Sequence, residues 1–415
     1  MKKEKSTIID ENGIENPTRS DDGDVKPRKF TKAWIAFLAL GILFLLGGVA
    51  SLLVAILLPK DEADAVSFPE IPSRVETTEE VYSALTGEVL ASAENLQAPA
   101  YCVQIPNGLD GARPQVGLTE AGVIFEAIAE TGITRFAAIF QNPSSAVIGP
   151  IRSLRLYYLE WDTPFDCTIV HAGGATDALV AVRNGGYRDL TEHYAYMYRG
   201  NAGARRWNNL FTTAASLARF NADAGFKTSE IKGFARMTPD KAKKEQVDGL
   251  VANRLDIVKA AEGDTSAMTA EAPSVTMRFG GIPSFNVHYD YDMATNRYLR
   301  SYASGEAHKV YQCPNENLGE VNPEGVCELV QLAPAVVIAM VVDEWKASDG
   351  YHEAIATTGI GEAYIFQNGK AIRGSWEKAS RDEQIKFFET SGAEVKLVPG
   401  QTIISAIPKY GGVDY

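Results

Sequence analysis

Phe125-Glu126-Ala127-Ile128-Ala129-Glu130-Thr131-Gly132-Ile133-Thr134-Arg135-Phe136 joins two β-rich runs, Val123 to Ile128 and Ile133 to Phe140, through a Thr-Gly pair. A two-residue loop ending in glycine signals a β-hairpin, because the tight turn places its residues at positive φ, where glycine is unstrained. This register sets Glu130 opposite Ile133, Ile128 opposite Arg135 and Glu126 opposite Ala137. Arg135 then lies diagonal to both carboxylates on one sheet face.

Downstream of the hairpin the period changes. Leu154, Tyr157, Tyr158 and Trp161 recur at helical spacing behind Ser153, a capping residue, and predict a helix with a buried aromatic face. Cys167 to Ala172 reads as a buried strand, Gly173-Gly174 breaks it, and Ala175, Ala178, Leu179 and Val182 predict a second helix ending at Gly185-Gly186. Strands alternating with helices argue for an α/β domain, assigned here to residues 100–267. From about Met268 the pattern is strands separated by Gly, Asn and Asp turns: VTMRF, FNVHYDYD, RYLRSYA, Leu332 to Val342, EAYIF and TIISAI. Residues 268–415 are therefore expected to form a mainly-β domain.

Upstream, Trp34 to Leu58 contains no charged side chain. About 20 apolar residues suffice to cross a bilayer core, so the segment predicts one transmembrane helix and a membrane-anchored protein. Lys26, Arg28, Lys29 and Lys32 precede it and Asp61, Glu62 and Asp64 follow, which leaves residues 1–33 cytoplasmic and the rest outside. Residues 1–33 are polar and are expected to be disordered, and 59–99, rich in Glu, Ala, Ser, Thr and Pro, read as a linker. An uncleaved anchor is favoured over a signal peptide because the apolar run is too long for one.

Beyond residue 58 the chain carries 32 Lys and Arg against 46 Asp and Glu, a net charge of −14. An acidic module without a basic, aromatic-interleaved stripe is a poor nucleic-acid binder. All four cysteines fall on the outer side, where disulfides persist. Cys313 and Cys327 bracket a polar Pro/Gly-bearing loop and are expected to pair. Cys102 and Cys167 sit in strand-like runs and either bridge neighbouring strands or stay as two buried thiols. No Cys-x-x-Cys or His-x-x-x-His spacing occurs, so no metal is expected. Without a Gly-x-Ser-x-Gly elbow, a phosphate loop or a dinucleotide fingerprint, no cofactor is expected either.

Three constellations carry chemical potential. Glu126 and Glu130 with Arg135 form either an acid pair with a cation, suited to general acid–base work, or a ladder of ion pairs on a wet sheet face. Arg152 and Arg155, three apart after Gly149-Pro150, are expected on one side of the helix they introduce, where guanidiniums hold carboxylate or phosphate. His171, at the end of a strand and before two glycines, stands where α/β sheets gather ligands. Together with Arg113 these residues are assigned to one polar pocket. The leading functional reading is a binding or adaptor module for a cell-wall or protein partner. The alternative is a wall-polymer hydrolase, which needs its carboxylates roughly 5 to 10 Å apart. No reaction follows from the residues themselves.

Taken in order, ALTG (84–87), ARPQVGL (112–118), FEAIAETGITRF (125–136), IGPIRSLR (148–155), VHAGG (170–174), the YDYD unit at 289–292, GEAYIFQNGKAIRGSWEK (361–378) and VPGQT (398–402) resemble the YerB-like family of membrane-anchored bacterial envelope proteins. The similarity runs from Leu85 to Pro408. The resemblance implies a two-part domain of unknown function, with an α/β first part, a β second part and an extracytoplasmic location. Two departures stand out. Relatives are lipid-anchored through a cysteine where this chain has an apolar span, and Asn208-Asn209-Leu210-Phe211 stands where a His-Asn pair is expected.

Overall fold

The computed structural model describes residues 80–200, 208–248, 274–313 and 327–415. The span at 34–58, the N-terminal tail and the loop tip between Cys313 and Cys327 lie outside the described residues. Among those described, no helix is long and apolar enough to cross a membrane.

The first half supplies β1 (Ala100–Pro106), β2 (Val123–Glu130), β3 (Ile133–Gln141), α1 (Leu156–Asp162), β4 (Thr168–His171), α2 (Thr176–Asn184), β5 (Arg188–Thr191), β6 (Met197–Arg199), β7 (Leu210–Thr212) and α3 (Ala214–Ala224). The hairpin strands, β4 and α2 fall where the pattern places them, and α1 does so except that it starts at Leu156 behind Arg155, not at Leu154 behind Ser153, whose hydroxyl bonds the Ala172 carbonyl. Thr131 (φ 46°) and Gly132 (φ 81°) both adopt the left-handed conformation that a two-residue hairpin loop demands. A Cβ on Gly132 would approach the Ile282 amide to 2.9 Å, so the turn also needs glycine for packing.

The second half is almost entirely strands: β8 (Ser274–Arg278), β9 (Val287–Asp292), β10 (Arg297–Tyr302), β11 (Lys309–Gln312), β12 (Glu328–Gln331), β13 (Val336–Val342), β14 (Glu344–Lys346), β15 (Glu353–Ile355), β16 (Gly359–Gln367), β17 (Lys370–Lys378), β18 (Lys386–Glu389), β19 (Thr402–Pro408) and β20 (Gly412–Asp414). The region before residue 250 is thus mixed α/β, and the region after 274 is mainly β.

Both halves build one ten-stranded sheet, in the order β18-β17-β16-β13-β19-β2-β3-β1-β4-β5. The C-terminal strand β19 joins them: it pairs in parallel with β13 on one side and β2 on the other. No break in the core follows the composition boundary near residue 267. On one face of the sheet lie the aromatic residues of α1, Tyr157, Tyr158 and Trp161, packed against Phe125, Ala127, Ile338 and Ile404. On the other, the four-stranded sheet β10-β9-β8-β20 closes a second core, where Val275, Met277, Val287 and Tyr289 meet Ile128, Val337, Ala339 and Ile407. Alternate residues of each central strand are therefore buried on opposite sides, which explains why β1, β2 and β19 are buried at every position.

Within residues 80–99, assigned to a linker by composition, the stretch around Leu85 is packed against the module. Leu85 is buried in the core, and Arg236 clamps this lead-in by donating to the carbonyls of Leu85, Val398 and Gly400. Two disulfides staple the fold. Cys313 and Cys327 pair at the end of the β11–β12 ribbon, as the loop spacing suggests. Cys102 and Cys167 also pair, across the parallel strands β1 and β4, which selects the bridge over the two free thiols.

Candidate site at the C-terminal edge of the sheet

β1, β2, β4, β5, β13 and β19 run in one direction, so Pro106, Glu130, His171, Thr191, Val342 and Pro408 end on one edge of the sheet. What each side chain does there depends on which face it takes. The hairpin register departs from the simple one. Glu130 faces Ile133, but Ile128 faces Thr134, Ala127 faces Arg135 and Glu126 faces Phe136, with a bulge between Ile128 and Glu130. One extra residue in β2 reverses the alternation. Glu126 consequently points to the second core and Glu130 to the helix face, so the two carboxylates do not form a pair and Arg135 reaches only one of them.

On the helix face, Arg135 Nη2 donates to Glu130 Oε1 at 2.9 Å and Arg155 Nη2 to Glu130 Oε2 at 2.5 Å. Arg155 Nε also caps the carbonyl of the bulged Ala129 at 3.4 Å, while Tyr157 donates to the Ile128 carbonyl at 2.7 Å. Tyr158 takes the Ala127 N–H and donates to the Arg135 carbonyl. The aromatic face of α1 thus secures the bulge. Burial by itself would raise the Glu130 pKa, but Arg135 and then Arg155 more than offset it and hold the carboxyl below its ordinary value. The Arg135 pKa is pulled down to about 10, first by burial and then by Arg155, and the group stays charged at neutral pH.

Arg152 stands beside this triad. Burial and the nearby Arg155 lower its pKa against the pull of Glu130 and Asp110, and its Nε has no hydrogen-bond partner among the described residues. Two guanidiniums therefore pair with Glu130, and Arg152 stands within electrostatic reach of it and of Asp110. Arg152 and Arg155 are not on a helix, as their spacing suggested; α1 begins at Leu156, and Arg155 is its extended N-cap, with φ −122° and ψ 151°. Backbone bonds explain the difference. Arg152 N–H is given to Gln104 O and Leu154 N–H to Gly173 O, which stitches the segment across β1 and the β4 end instead of into a helical turn.

On the opposite face Glu126 meets Arg300, both fully buried, with Nη2 at 3.0 and 2.8 Å from the two carboxylate oxygens. Thr134 Oγ1 and Asn107 Nδ2 complete the carboxylate shell at 3.0 and 3.3 Å. Arg300 also donates to Tyr289 and, from Nε, to His308 Nδ1 at 2.9 Å. His308 in turn donates from Nε2 to Gln115 Oε1 at 3.0 Å. A ring that accepts from a guanidinium at one nitrogen is neutral, in keeping with a pKa held well below the usual value by burial and by Arg300 and Arg113. Arg113 Nε reaches Asn107 Oδ1 at 2.8 Å, and its guanidinium lies 4.0 Å from the Tyr302 ring centre. Each half of the chain contributes, so this network locks them together.

The seven residues assigned to one pocket thus fall into three places. Glu130, Arg135, Arg152 and Arg155 gather on the helix face; Glu126 and Arg113 belong to the opposite network. His171 is separate again, fully buried, with Nδ1 2.7 Å from Gly173 O and Nε2 2.8 Å from Asp189 Oδ1. With both ring nitrogens engaged it is a positioning residue between β4 and β5, not a free base. Sequence reasoning missed Arg300, His308, Gln115 and Asn107. The only available signal was a charged residue inside an otherwise alternating strand, RYLRSY, whose Arg300 falls on an inward position.

Comparison with known proteins bears on this architecture. Residues 85–227 match the family described as "Protein of unknown function (DUF3048) N-terminal domain", and residues 275–404 match its C-terminal domain. The chain is 24% identical over 336 residues to the Bacillus subtilis protein named "Putative lipoprotein YerB", covering 80% of this chain and 88% of that one. The crystal structure of YerB protein from Bacillus subtilis shares the fold, with a TM-score of 0.61 at 21% identity over 81% of this chain and all of that one.

Proposed function

We propose, for a chain that belongs to the DUF3048 family and carries both of its domains in order, that it is a membrane-anchored envelope protein whose outer module binds an anionic cell-wall polymer. The observation that carries this reading is the excess of guanidinium over carboxylate at the C-terminal edge of the sheet. Arg135 and Arg155 neutralise Glu130, and Arg152, half-buried and beside them, is left as the cation to meet a ligand. Tyr351, within electrostatic reach of Arg152, is 53% exposed, as a sugar-stacking side chain needs to be.

An extracytoplasmic site agrees with the two disulfides, with the uncharged span at 34–58 and with the lipoprotein name of the Bacillus subtilis relative. The alternative, a hydrolase with Glu126 and Glu130 as its carboxylates, is disfavoured because they point to opposite faces and each is held by arginine. The test is sedimentation of the purified full chain with cell-wall sacculi that keep their anionic polymers. Arg152→Ala should lose retention without a change in melting temperature, and wild-type retention should fall with salt. Equal retention of variant and wild type sinks the proposal.

A further inference from the structure

A groove lies at the Arg113 end of the Glu126–Arg300 network. Leu109 and Arg113 from the first half and Tyr302, Glu306, Lys309 and Leu329 from the second line a groove of about 620 Å³. Small-ligand sites run from roughly 300 to 1,000 Å³. Arg113 forms its charged floor. Nε is held by Asn107, and the guanidinium is sandwiched between Tyr302, 4.0 Å from the ring centre, and Phe285, at 5.3 Å. These contacts fix its plane but satisfy only one nitrogen. Nη2 is buried with no hydrogen-bond partner among the described residues, and Arg113 makes no ion pair among them. The adjacent carboxylate, Glu126, is already taken by Arg300.

A half-buried guanidinium, held between two rings and without an ion-pair partner among the described residues, is set to meet an acid from the groove. From this we infer that the groove binds a small ligand ending in a carboxylate, with the carboxylate on the Arg113 guanidinium where it lines the groove and an apolar body against Leu109 and Leu329. Glu306 on the rim offsets Lys309, so the groove as a whole favours a single negative charge over a phosphate dianion. Arg152 does not line this groove.

The experiment is calorimetric titration of the detergent-solubilised full chain with N-acetyl-alanyl-alanine and with butyrate, each beside its amide. Both acids should bind, each at least roughly tenfold more tightly than its amide, as a charge-assisted hydrogen bond requires. A tighter dipeptide points to a peptide C-terminus as the source and equal affinities to a free carboxylic acid. Arg113→Gln should abolish the preference for acid over amide. Ser304→Trp, at an exposed lining position, should block binding without disturbing Arg113, and Arg152→Ala should change nothing. Absence of binding, equal affinity for acid and amide, or a preference that survives Arg113→Gln each overturns the inference.

Discussion

Glu126 and Arg300 stand 174 residues apart in the chain and meet at 2.8 Å with neither side chain exposed to water. The pair joins the α/β half to the β half at the point where β2 and the second sheet face each other. Removing one member leaves the other as an uncompensated buried charge, at a cost of about 3–5 kcal/mol. Glu126→Gln or Arg300→Met should each lower stability by that order in urea unfolding. The double variant Glu126→Gln with Arg300→Met should lose less than the sum of the single changes. Additive losses would show that the two charges do not depend on one another.

The Glu130 carboxyl gives the fold an acid-side pH dependence. Its folded pKa is held below the ordinary 4.5 by Arg135 and Arg155. A depressed carboxylate pKa contributes stability that is fully present above the unfolded value and is lost as pH falls through the folded one. Stability should therefore decline below about pH 4.5 more steeply in wild type than in Glu130→Gln, which is already weakened at neutral pH by about 3 kcal/mol. Parallel pH profiles for the two proteins would contradict this role.

Reduction should affect the two staples unequally. The Cys102–Cys167 bridge closes a separation of 65 residues and Cys313–Cys327 one of 14. On the chain-entropy account these are worth about 4 and about 3 kcal/mol respectively. Replacing each pair by alanine and comparing melting temperatures should show the larger loss for Cys102 and Cys167, which are also buried between strands.

Thr131 is a β-branched residue at φ 46°, exposed on the hairpin loop. A left-handed backbone at such a residue costs about 1–2 kcal/mol, and asparagine tolerates it better. Thr131→Asn should raise stability by about 0.5–1 kcal/mol in thermal unfolding. Gly132→Ala should lower it, because the added Cβ meets the Ile282 amide.

Much of the architecture was legible in order along the chain. Gly132 after Thr131, the aromatic spacing of Tyr157, Tyr158 and Trp161 and the glycine pair after His171 each identify a local element, because turn geometry and burial period act over a few residues. The pocket was not legible in the same way. Alternation placed Glu126 and Glu130 on one face, whereas the bulge at Ala129 separates them. That bulge is held by Arg155 and the tyrosines of α1, which approach from about 30 residues away.

By itself, then, the sequence determined the kinds of element, the uncharged span before residue 59, the even set of cysteines and the hairpin turn. Only the tertiary structure decided which side each carboxylate takes, that β19 returns between β2 and β13, and that Arg300 is the partner of Glu126. The physical reason is that strand pairing and charge neutralisation are non-local. A one-residue bulge inverts the facing of everything beyond it, and a buried carboxylate takes whichever cation the assembled sheets bring within reach.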